Sequence, residues 1–523
     1  MKYFAKASNV KSSTSRINAV LTEGVCLPHL RKKNCAREII NFSSDMYPWL
    51  ASRERFRRKF SSANYSSGAG VYNKKTYYIK DGKFCYHRVE KFDVSQGKKQ
   101  FYHYNGKIVI FPDMIYYDPE KDIYGRFGVT TNEITYKILN RSVGSVDFGL
   151  SCIQSEDLVL TDYFKVGDGI KITDEEGLGI SGFHTITAVN KEEGILYFDK
   201  FEFGDGEGFT LVGRLSHGAP ERCDAACVCG GRVWVAAGNK IHASTINDEC
   251  NWAVGGDNEK SSFVCTFDNG ESITACVELE GSPVFFSEKK IYKVYGDRAS
   301  NFYLKCCSNW GGIPKGMSDT VAVMKDKIYY ISDYGVTYFD GSLPRVVPDA
   351  PLPTTQGSFA ASGGEKYYIF IPNQDKYLYV YDDKNGQWQK HGGQHEFVAF
   401  VKYQGALYAC TESEMVSLYG DSDIFLSYGF EDIPYHFVDF CIDVNGCRPL
   451  RVGMSLESND EADYEIYISY DSEEERRLIK TVRGTFSGNF ETLLVPKSCG
   501  SMTIGIGGEG MIIIKDIYVD VIH

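Results

Sequence analysis

The 523-residue chain holds 36 Tyr, 32 Phe and 52 Gly but only 15 Pro, a composition typical of a β-rich protein with many turns. It contains no run of about 18 apolar residues, which excludes a membrane-spanning helix. The net charge of −12 is unevenly distributed, because residues 1–100 hold 21 Lys and Arg against 7 Asp and Glu. Residues 1–16 are polar, so we expect no secretory signal and predict that the 16 cysteines are reduced thiols in a protein assembled in a cytoplasm.

Residues 1–66 are predicted to form an extended basic N-terminal arm. Charged and apolar residues are scattered there without a sustained period. The arm could dock on an acidic surface of its own chain or of a neighbouring subunit, or it could contact DNA by displacing counterions from phosphates. The candidate contact residues are Arg31, Lys32, Lys33, Arg37, Arg53, Arg55, Arg57, Arg58 and Lys59.

Seven hairpin-like repeats follow the arm. The clearest is residues 325–341, in which apolar and aromatic residues lead into the turn at Asp333 and Gly335 and continue beyond it. Such residues suit a pleated, half-buried surface, and a single hairpin is only marginally stable, so we expect the repeats to pack together. The other six occupy residues 71–89, 101–118, 226–244, 277–297, 357–388 and 397–421.

The spacing of the repeats predicts the architecture. Apart from one long gap, their central strands recur about every 32 to 50 residues, close to the period of a four-stranded propeller blade. We therefore predict an all-β fold, a β-propeller of six to eight blades with seven the best match, formed by residues 67–121 and 219–423. The alternative is a run of unrelated hairpins in several sandwiches, which would expose strand edges that a closed ring protects.

Two further β-domains are predicted. The long gap marks an insertion at residues 122–218, whose second half alternates short strands with polar turns and indicates a small β-barrel or sandwich. Residues 424–523 contain about seven strands at a spacing of roughly 10–15 residues, which indicates a C-terminal β-sandwich.

Two groups of metal-binding residue types are incomplete. His391 and His395 are four residues apart, but two glycines separate them and the acid of the zinc-protease helix is missing. Cys223, Cys227 and Cys229 have no second Cys or His cluster nearby that would complete a tetrahedral zinc site. We therefore predict no metal and no cofactor.

A third pattern concerns sugar hydrolysis. Residues 382–388 are similar to a sialidase Asp-box only loosely, because the interval from Gly386 to Trp388 is one residue short and no second copy occurs. We predict a turn between strands there, with Trp388 packed between sheets. Since no nucleophile elbow or phosphate-binding loop is present either, we predict that the chain is not an enzyme.

Four stretches together carry a resemblance to a protein family. The chain resembles β-propeller proteins of phage tails in its residue pattern and in the order of its motifs, at residues 48–58, 72–89, 282–297 and 311–341. The most similar are the packaged-DNA stabilisation and tail nozzle proteins of short-tailed phages. The resemblance covers residues 40–425, and both the insertion at 122–218 and the C-terminal sandwich depart from it.

The resemblance implies a non-enzymatic virion protein that forms a ring, often a hexamer, and extends the DNA channel of the tail. Its expected partners are copies of itself, the portal or adaptor and other tail proteins, with non-specific DNA contact in the channel. It would be assembled in the host cytoplasm and would help to retain and deliver packaged DNA. The alternative is a tail protein that binds a receptor or glycan through its inserted or C-terminal β-domain.

Overall fold

The computed structural model describes residues 13–25, 33–60, 65–143, 146–172, 180, 182–199, 208–252, 261–267, 271–420, 429–471, 473 and 475–523. Regular structure in these ranges is β-strand, apart from 3-10 turns at Leu160–Asp162 and Ser318–Thr320, and they contain no α-helix. The all-β prediction is confirmed. No helix in the same ranges is long and apolar enough to cross a membrane. The chain forms a central unit, residues 66–345, and a terminal unit, residues 1–65 with 346–523.

Six short strands lie in the N-terminal segment of the terminal unit. They are β1 (Thr14–Asn18), β2 (Val20–Val25), β3 (Cys35–Ile40), β4 (Phe42–Ser43), β5 (Leu50–Ser52) and β6 (Arg57–Phe60).

The central unit begins with two four-stranded antiparallel sheets, whose strands neighbour one another in sequence order. The first contains β7 (Ala69–Tyr72), β8 (Lys75–Lys80), β9 (Lys83–Tyr86) and β10 (Val89–Asp93). The second contains β11 (Gln100–Tyr104), β12 (Lys107–Phe111), β13 (Ile115–Asp118) and β14 (Ile123–Arg126). Asn105 and Gly106 join β11 to β12 with φ of 48° and 74°, the left-handed pair that a tight hairpin turn requires.

A seven-stranded sheet follows, within the range predicted for the inserted domain. Its strands are β15 (Ile134–Val143), β16 (Val146–Ser155), β17 (Gly169–Ile172), β18 (Gly182–Asn190), β19 (Ile195–Asp199), β20 (Phe209–Gly213) and β21 (Leu215–Ser216). It has its own core, in which Tyr136, Ile153, Phe164 and Ile170 are buried together. This range therefore folds around an apolar centre separate from those of the repeats.

Three more four-stranded sheets complete the central unit. The third contains β22 (Ala225–Cys229), β23 (Arg232–Ala237), β24 (Lys240–Ala243) and β25 (Phe263–Thr266). The fourth contains β26 (Ile273–Leu279), β27 (Ser282–Ser287), β28 (Ile291–Tyr295) and β29 (Tyr303–Ser308). The fifth contains β30 (Ala322–Met324), β31 (Lys327–Ser332), β32 (Gly335–Phe339) and β33 (Pro344–Val346).

Central strands of these sheets are apolar on both faces, which explains the stacking of the sheets. In β12, Ile108 and Ile110 pack towards the first sheet, whereas Val109 and Phe111 pack towards the third. Each fully buried side chain of this kind contributes about 1.5–3 kcal/mol. Trp234 of the third sheet similarly meets the fourth, where its ring lies 6.5 Å from that of Phe285. The five sheets therefore pack face to face in chain order.

The terminal unit holds the strands of the sixth and seventh repeats and of the C-terminal region. The sixth repeat forms β34 (Phe359–Gly363), β35 (Lys366–Phe370), β36 (Tyr377–Asp382) and β37 (Gln387–Gly392). The seventh forms β38 (Ala399–Tyr403), β39 (Ala406–Cys410) and β40 (Glu414–Tyr419). The remaining strands are β41 (Gly429–Phe430), β42 (His436–Asp443), β43 (Arg448–Ser458), β44 (Asp463–Tyr470), β45 (Arg477–Arg483), β46 (Phe486–Leu493), β47 (Ser501–Glu509) and β48 (Ile512–Ile522).

N-terminal strands complete the sheets of the terminal unit. β3 lies between β37 and β42, so that one ten-stranded sheet runs from the sixth repeat into β47, β44 and β45. β6 is the fourth strand of the seventh repeat, where Arg58 is paired with Val416 of β40. β1 and β5 both pair with β48, in the sheet that also contains β43 and β46.

These pairings correct the prediction for residues 1–66. The described residues of this segment form short strands inside sheets, whereas the sequence indicated an extended arm. The physical reason is that Ile39, Phe42 and Leu50 have apolar side chains whose partners are contributed by residues far along the chain, and all three are buried. The predicted boundaries at 121/122, 218/219 and 423/424 stay predictions.

Candidate functional site

Two of the predicted arm residues, Arg31 and Lys32, lie outside the described residues. Lys33 forms an ion pair with Asp443, with 2.6 Å between Nζ and Oδ2. Arg37 donates a hydrogen bond from Nη2 to Cys441 Sγ at 2.7 Å. Both partners belong to the same chain, next to or within β42.

Arg53 is an internal residue and cannot serve as a DNA contact. Its guanidinium forms an ion pair with Glu431 and donates from Nε to Asn41 Oδ1 at 2.7 Å. It also lies over the ring of Phe56, 3.8 Å from the ring centroid. The DNA-contact interpretation is wrong for this residue, because a buried guanidinium that is paired with a carboxylate of its own chain cannot reach a phosphate.

The other arm residues lie around β6. Arg55 pairs with Glu461 at 2.8 Å and Arg58 with Glu414 at 3.3 Å. Arg57 is exposed, and the backbone of Lys59 is paired with Met415. The ion pairs among the described arm residues are therefore made with carboxylates of their own chain.

His391 and His395 are not brought together into one site. His391 Nε2 lies 3.1 Å from the carbonyl oxygen of Phe42, whereas His395 lies 3.6 Å from Glu414 and 3.9 Å from Glu431. Burial holds the pKa of both imidazoles below the ordinary value. They contribute to two different parts of the interior of the terminal unit.

A fourth cysteine, Cys276, lies beside the group formed by Cys223, Cys227 and Cys229, and sequence reasoning did not identify it. Cys276 Sγ of the fourth sheet lies 2.8 Å from Cys227 Sγ of the third, and both residues are buried. Burial raises the pKa of Cys276 well above its ordinary value and that of Cys223 to about 12. Among the described residues, no three His, Cys, Asp or Glu side chains are arranged to hold a metal ion.

Residues 382–388 form the predicted turn, between β36 and β37. Asp382 Oδ1 accepts hydrogen bonds from the backbone amides of Lys384 and Asn385 at 3.0 and 3.2 Å. Trp388 is buried, with its ring 5.1 Å from that of Tyr381, and donates from Nε1 to the carbonyl of Pro348. The carboxylate is used to shape the turn.

A pocket of about 300 Å³ is the strongest candidate for a functional site, and it lies within the central unit. β13 and β14 of the second sheet form one wall, residues 161–168 of the inserted region form another, and Cys250 closes a third side. The lining residues from these elements and their connections are Tyr116, Gly125, Arg126, Gly128, Val129, Thr161, Asp162, Tyr163, Phe164, Lys165, Asp168, His217 and Cys250.

A buried His–Asp pair supports the pocket. His217 Nε2 lies 3.1 Å from Asp168 Oδ2, and the amide of Val129 donates to Nδ1 at 2.9 Å. Because Nδ1 accepts, the ring proton lies on Nε2 and is donated to the carboxylate. Both imidazole nitrogens are thus occupied, so His217 is a positioning residue that fixes the 161–168 segment against residue 129.

The walls combine aromatic rings with a charged lysine. One of the rings is that of Tyr116, whose centroid lies 4.5 Å from the ammonium of Lys107. Another is that of Tyr163, which is 43% exposed. The charged lysine of the pocket wall is Lys165. Burial opposes the charge on Lys165, but the carboxylates of Asp248 and Asp168 outweigh it and hold the lysine pKa above its ordinary value. Lys165 is therefore positively charged at neutral pH.

The thiol in the pocket is unreactive at neutral pH. Burial, assisted by Glu249 and Asp248, raises the pKa of Cys250 to about 12, so the thiolate nucleophile is scarce. The chemistry that remains is binding through aromatic rings, a hydroxyl group, the cations of Lys165 and Arg126 and the carboxylate of Asp162. Sequence reasoning did not single out Tyr116, Lys165 or His217.

Comparisons with known proteins show no family for this chain. No family model and no curated protein matches the chain. BamB from Moraxella catarrhalis is 10% identical, with 77% of this chain and 96% of that chain covered and a TM-score of 0.33. The phage phi92 endosialidase is 10% identical, with coverages of 79% and 78% and a TM-score of 0.27. The exo-β-1,3-galactanase of Phanerochaete chrysosporium is 9% identical, with coverages of 56% and 95% and a TM-score of 0.22.

These matches correct the prediction that the chain is not an enzyme. Two of the three are glycosidases by name, so the absence of a recognisable motif in the sequence does not exclude catalysis. At these TM-scores the likeness assigns no activity to this chain. The class of protein that the structure supports is an all-β protein, in which the regular structure is almost wholly β-strand.

Proposed function

We propose that this chain is a structural protein of a phage tail, a ring-forming nozzle or hub component that extends the DNA channel. The observation that carries the proposal is the order of the four motifs at 48–58, 72–89, 282–297 and 311–341, which resembles that of tail nozzle proteins. The last three motifs fall within the first, fourth and fifth four-stranded sheets, so they coincide with folded repeats.

We further propose that the seven repeats are the blades of one β-propeller. The pairing of β6 with β40 supports this, since residues 57–60 come directly before the first repeat and complete the last one. A ring requires such a link between its ends, because closure leaves no strand edge unprotected. The alternative of unrelated hairpins gives no reason for this pairing.

The proposed assembly is a homo-oligomer, with a hexamer as the expected form. It joins the portal or adaptor and other tail proteins in the virion, after assembly in the host cytoplasm. Non-specific DNA contact in the channel belongs to this proposal. It is not proposed for Arg53, Arg55 or Arg58, whose charges are neutralised by carboxylates of the same chain.

The test is to determine the copy number and position of the chain in purified particles. Quantitative mass spectrometry against the portal protein and electron cryomicroscopy of the tail give both quantities. We expect a ring of copies on the tail axis below the portal. A chain that is absent from particles, or present as one copy away from the axis, would overturn the proposal.

The pocket supports a second candidate function, the binding of a carbohydrate. Tyr163 provides an exposed ring for a sugar, and Lys165 provides a hydrogen-bond donor. A glycan array with the purified chain tests it, with Tyr163→Ala as the pocket variant and Tyr334→Ala, at an exposed tyrosine of the turn between β31 and β32, as the control. Loss of a signal in Tyr163→Ala alone supports the candidate, and an array without any signal contradicts it.

A further inference from the structure

Two lysines face each other on neighbouring strands of the fourth sheet. Lys293 of β28 is directly opposite Lys305 of β29 in the antiparallel register. Lys293 is buried to 8% exposure, whereas Lys305 is exposed. Like charges directly opposite each other destabilise a sheet, so this pair has a cost that a neighbouring anion would remove.

Two tyrosines extend the pair on the same sheet face. Tyr295 is opposite Tyr303, two residues from each lysine, and their rings are stacked with centroids 5.5 Å apart and an interplanar angle of 17°. The ammonium groups of Lys293 and Lys305 lie 5.4 and 5.9 Å from the Tyr295 ring centroid. Tyr303 is 57% exposed, so part of its ring is available to a ligand.

Within the described part of the chain, neither ammonium has a carboxylate within 4.0 Å. Two other lysines of this region are paired, Lys290 with Glu271 at 2.5 Å and Lys315 with Glu288 at 3.2 Å. The ring of Tyr295 satisfies the lysine charges only in part, since a cation–π contact contributes about 0.5–2 kcal/mol. Lys293 and Lys305 therefore offer two ammonium groups on one sheet face to an anionic ligand.

We propose that Lys293, Tyr295, Tyr303 and Lys305 form a binding site for an acidic sugar. The two ammonium groups bind the carboxylate of the sugar, and the exposed face of Tyr303 packs against the apolar face of its ring. The four side chains belong to two strands of one sheet, so the site is rigid. This inference is independent of the proposed function and of the pocket near Lys165.

The dimensions of the cluster favour a sugar over a nucleic acid. A nucleic acid is held by a track of cations that follows its phosphates, together with several stacking rings. Here two ammonium groups and one exposed ring lie together on two neighbouring strands. A single carboxylate attached to a single ring fits this set.

The test measures binding of the full chain to galacturonate and glucuronate oligosaccharides by calorimetry, with a neutral galactose oligosaccharide and a single-stranded thymidine oligonucleotide alongside. We expect both acidic oligosaccharides to bind, more weakly as salt is raised, because screening weakens the ion pairs. Lys305→Gln should weaken binding about tenfold or more, since a charge-assisted hydrogen bond is lost. Lys315→Gln, which removes a lysine elsewhere in the central unit, should have no effect.

Lys305→Glu separates binding from folding. It places a carboxylate opposite Lys293, so we expect a higher melting temperature together with loss of sugar binding. Failure of both acidic oligosaccharides to bind, equal binding of the neutral one, or tighter binding of the oligonucleotide would each overturn the proposal. Tail assembly and glycan-array binding that depends on Tyr163 would be unaffected by any of these results.

Discussion

Arg53 and Glu431 form an ion pair inside the terminal unit, where their side chains are only 4% and 2% exposed. The pair joins the connection between β5 and β6 to the chain just after β41. Glu431 also accepts a hydrogen bond from the amide of Phe56 at 3.1 Å, so removal of the arginine leaves a buried carboxylate with one backbone donor.

Arg53→Ala should therefore lower the free energy of unfolding by about 3–5 kcal/mol, because an uncompensated charge stays buried. Urea denaturation measures the change. Arg55→Ala is the matched control, since the Arg55–Glu461 pair is half exposed and should contribute about 0–1 kcal/mol. Equal effects of the two substitutions would show that the Arg53 pair does not have the internal role assigned to it.

Removal of residues 1–60 should unfold the terminal unit. The deletion takes away β3, which lies between β37 and β42, and β6, which completes the seventh repeat. Hydrogen exchange should then show loss of protection in β37, β40 and β42, while β12 of the central unit serves as the internal reference. Full protection of β42 in the truncated chain would contradict the prediction.

Stability should fall in mild acid because of His436. Burial, followed by the nearby charge of Arg53, lowers the pKa of this histidine to about 4, and its side chain is almost inaccessible. The unfolded chain binds the proton near pH 6.5 and the folded chain only near pH 4, so stability is complete above about 6.5 and is lost progressively down to about 4.

The expected loss over this interval is up to about 3 kcal/mol, read from thermal or urea unfolding at a series of pH values. His436→Gln should make this part of the curve less steep, with other buried imidazoles such as His391 and His395 contributing the rest, and His87→Gln, at an exposed histidine, is the control for loss of an imidazole. A variant at position 436 with the same acid dependence as the parent would show that another group is responsible.

Two glycines of β47 should respond differently to a methyl group. A Cβ at Gly508 would collide with the carbonyl oxygen of Asp463 and lie 2.6 Å from Tyr464 Cα, both backbone atoms of β44. A Cβ at Gly505 would meet only Phe437, at 3.9 Å. Gly508→Ala should lower the free energy of unfolding by about 1–3 kcal/mol and Gly505→Ala by less, as calorimetric melting would show. The reverse order would contradict the packing of β44 against β47.

The repeats could be predicted from the sequence because the residues that pair in each hairpin are close together along the chain. Residues 325–341 carry two runs of apolar and aromatic residues around a glycine-containing turn, and they fold as the hairpin β31–β32. The same holds for residues 101–118, where Asn105 and Gly106 mark the turn. Strand partners here are within a few residues, so the pattern is visible in a short window.

The N-terminal strands and the pocket were inaccessible for the opposite reason. Ile39 is paired with Val438, and no feature of residues 33–60 indicates a partner so distant. The pocket brings Tyr116, Lys165 and His217 together only through the topology of the central unit. The sequence indicated that an inserted region is present, but it indicated none of the contacts that this region makes in the candidate site.

The position of β3 and β6 has a consequence for biosynthesis. The central unit is one continuous stretch, so it can fold while the ribosome is still working. The terminal unit must wait, since Arg58 leaves the ribosome long before Val416, and Ile39 long before Val438. At about 5–20 residues per second, roughly 20–80 s separate the first member of such a pair from the second. During that time the nascent N-terminal strands have unpaired edges, which makes them the aggregation-prone part of the growing chain.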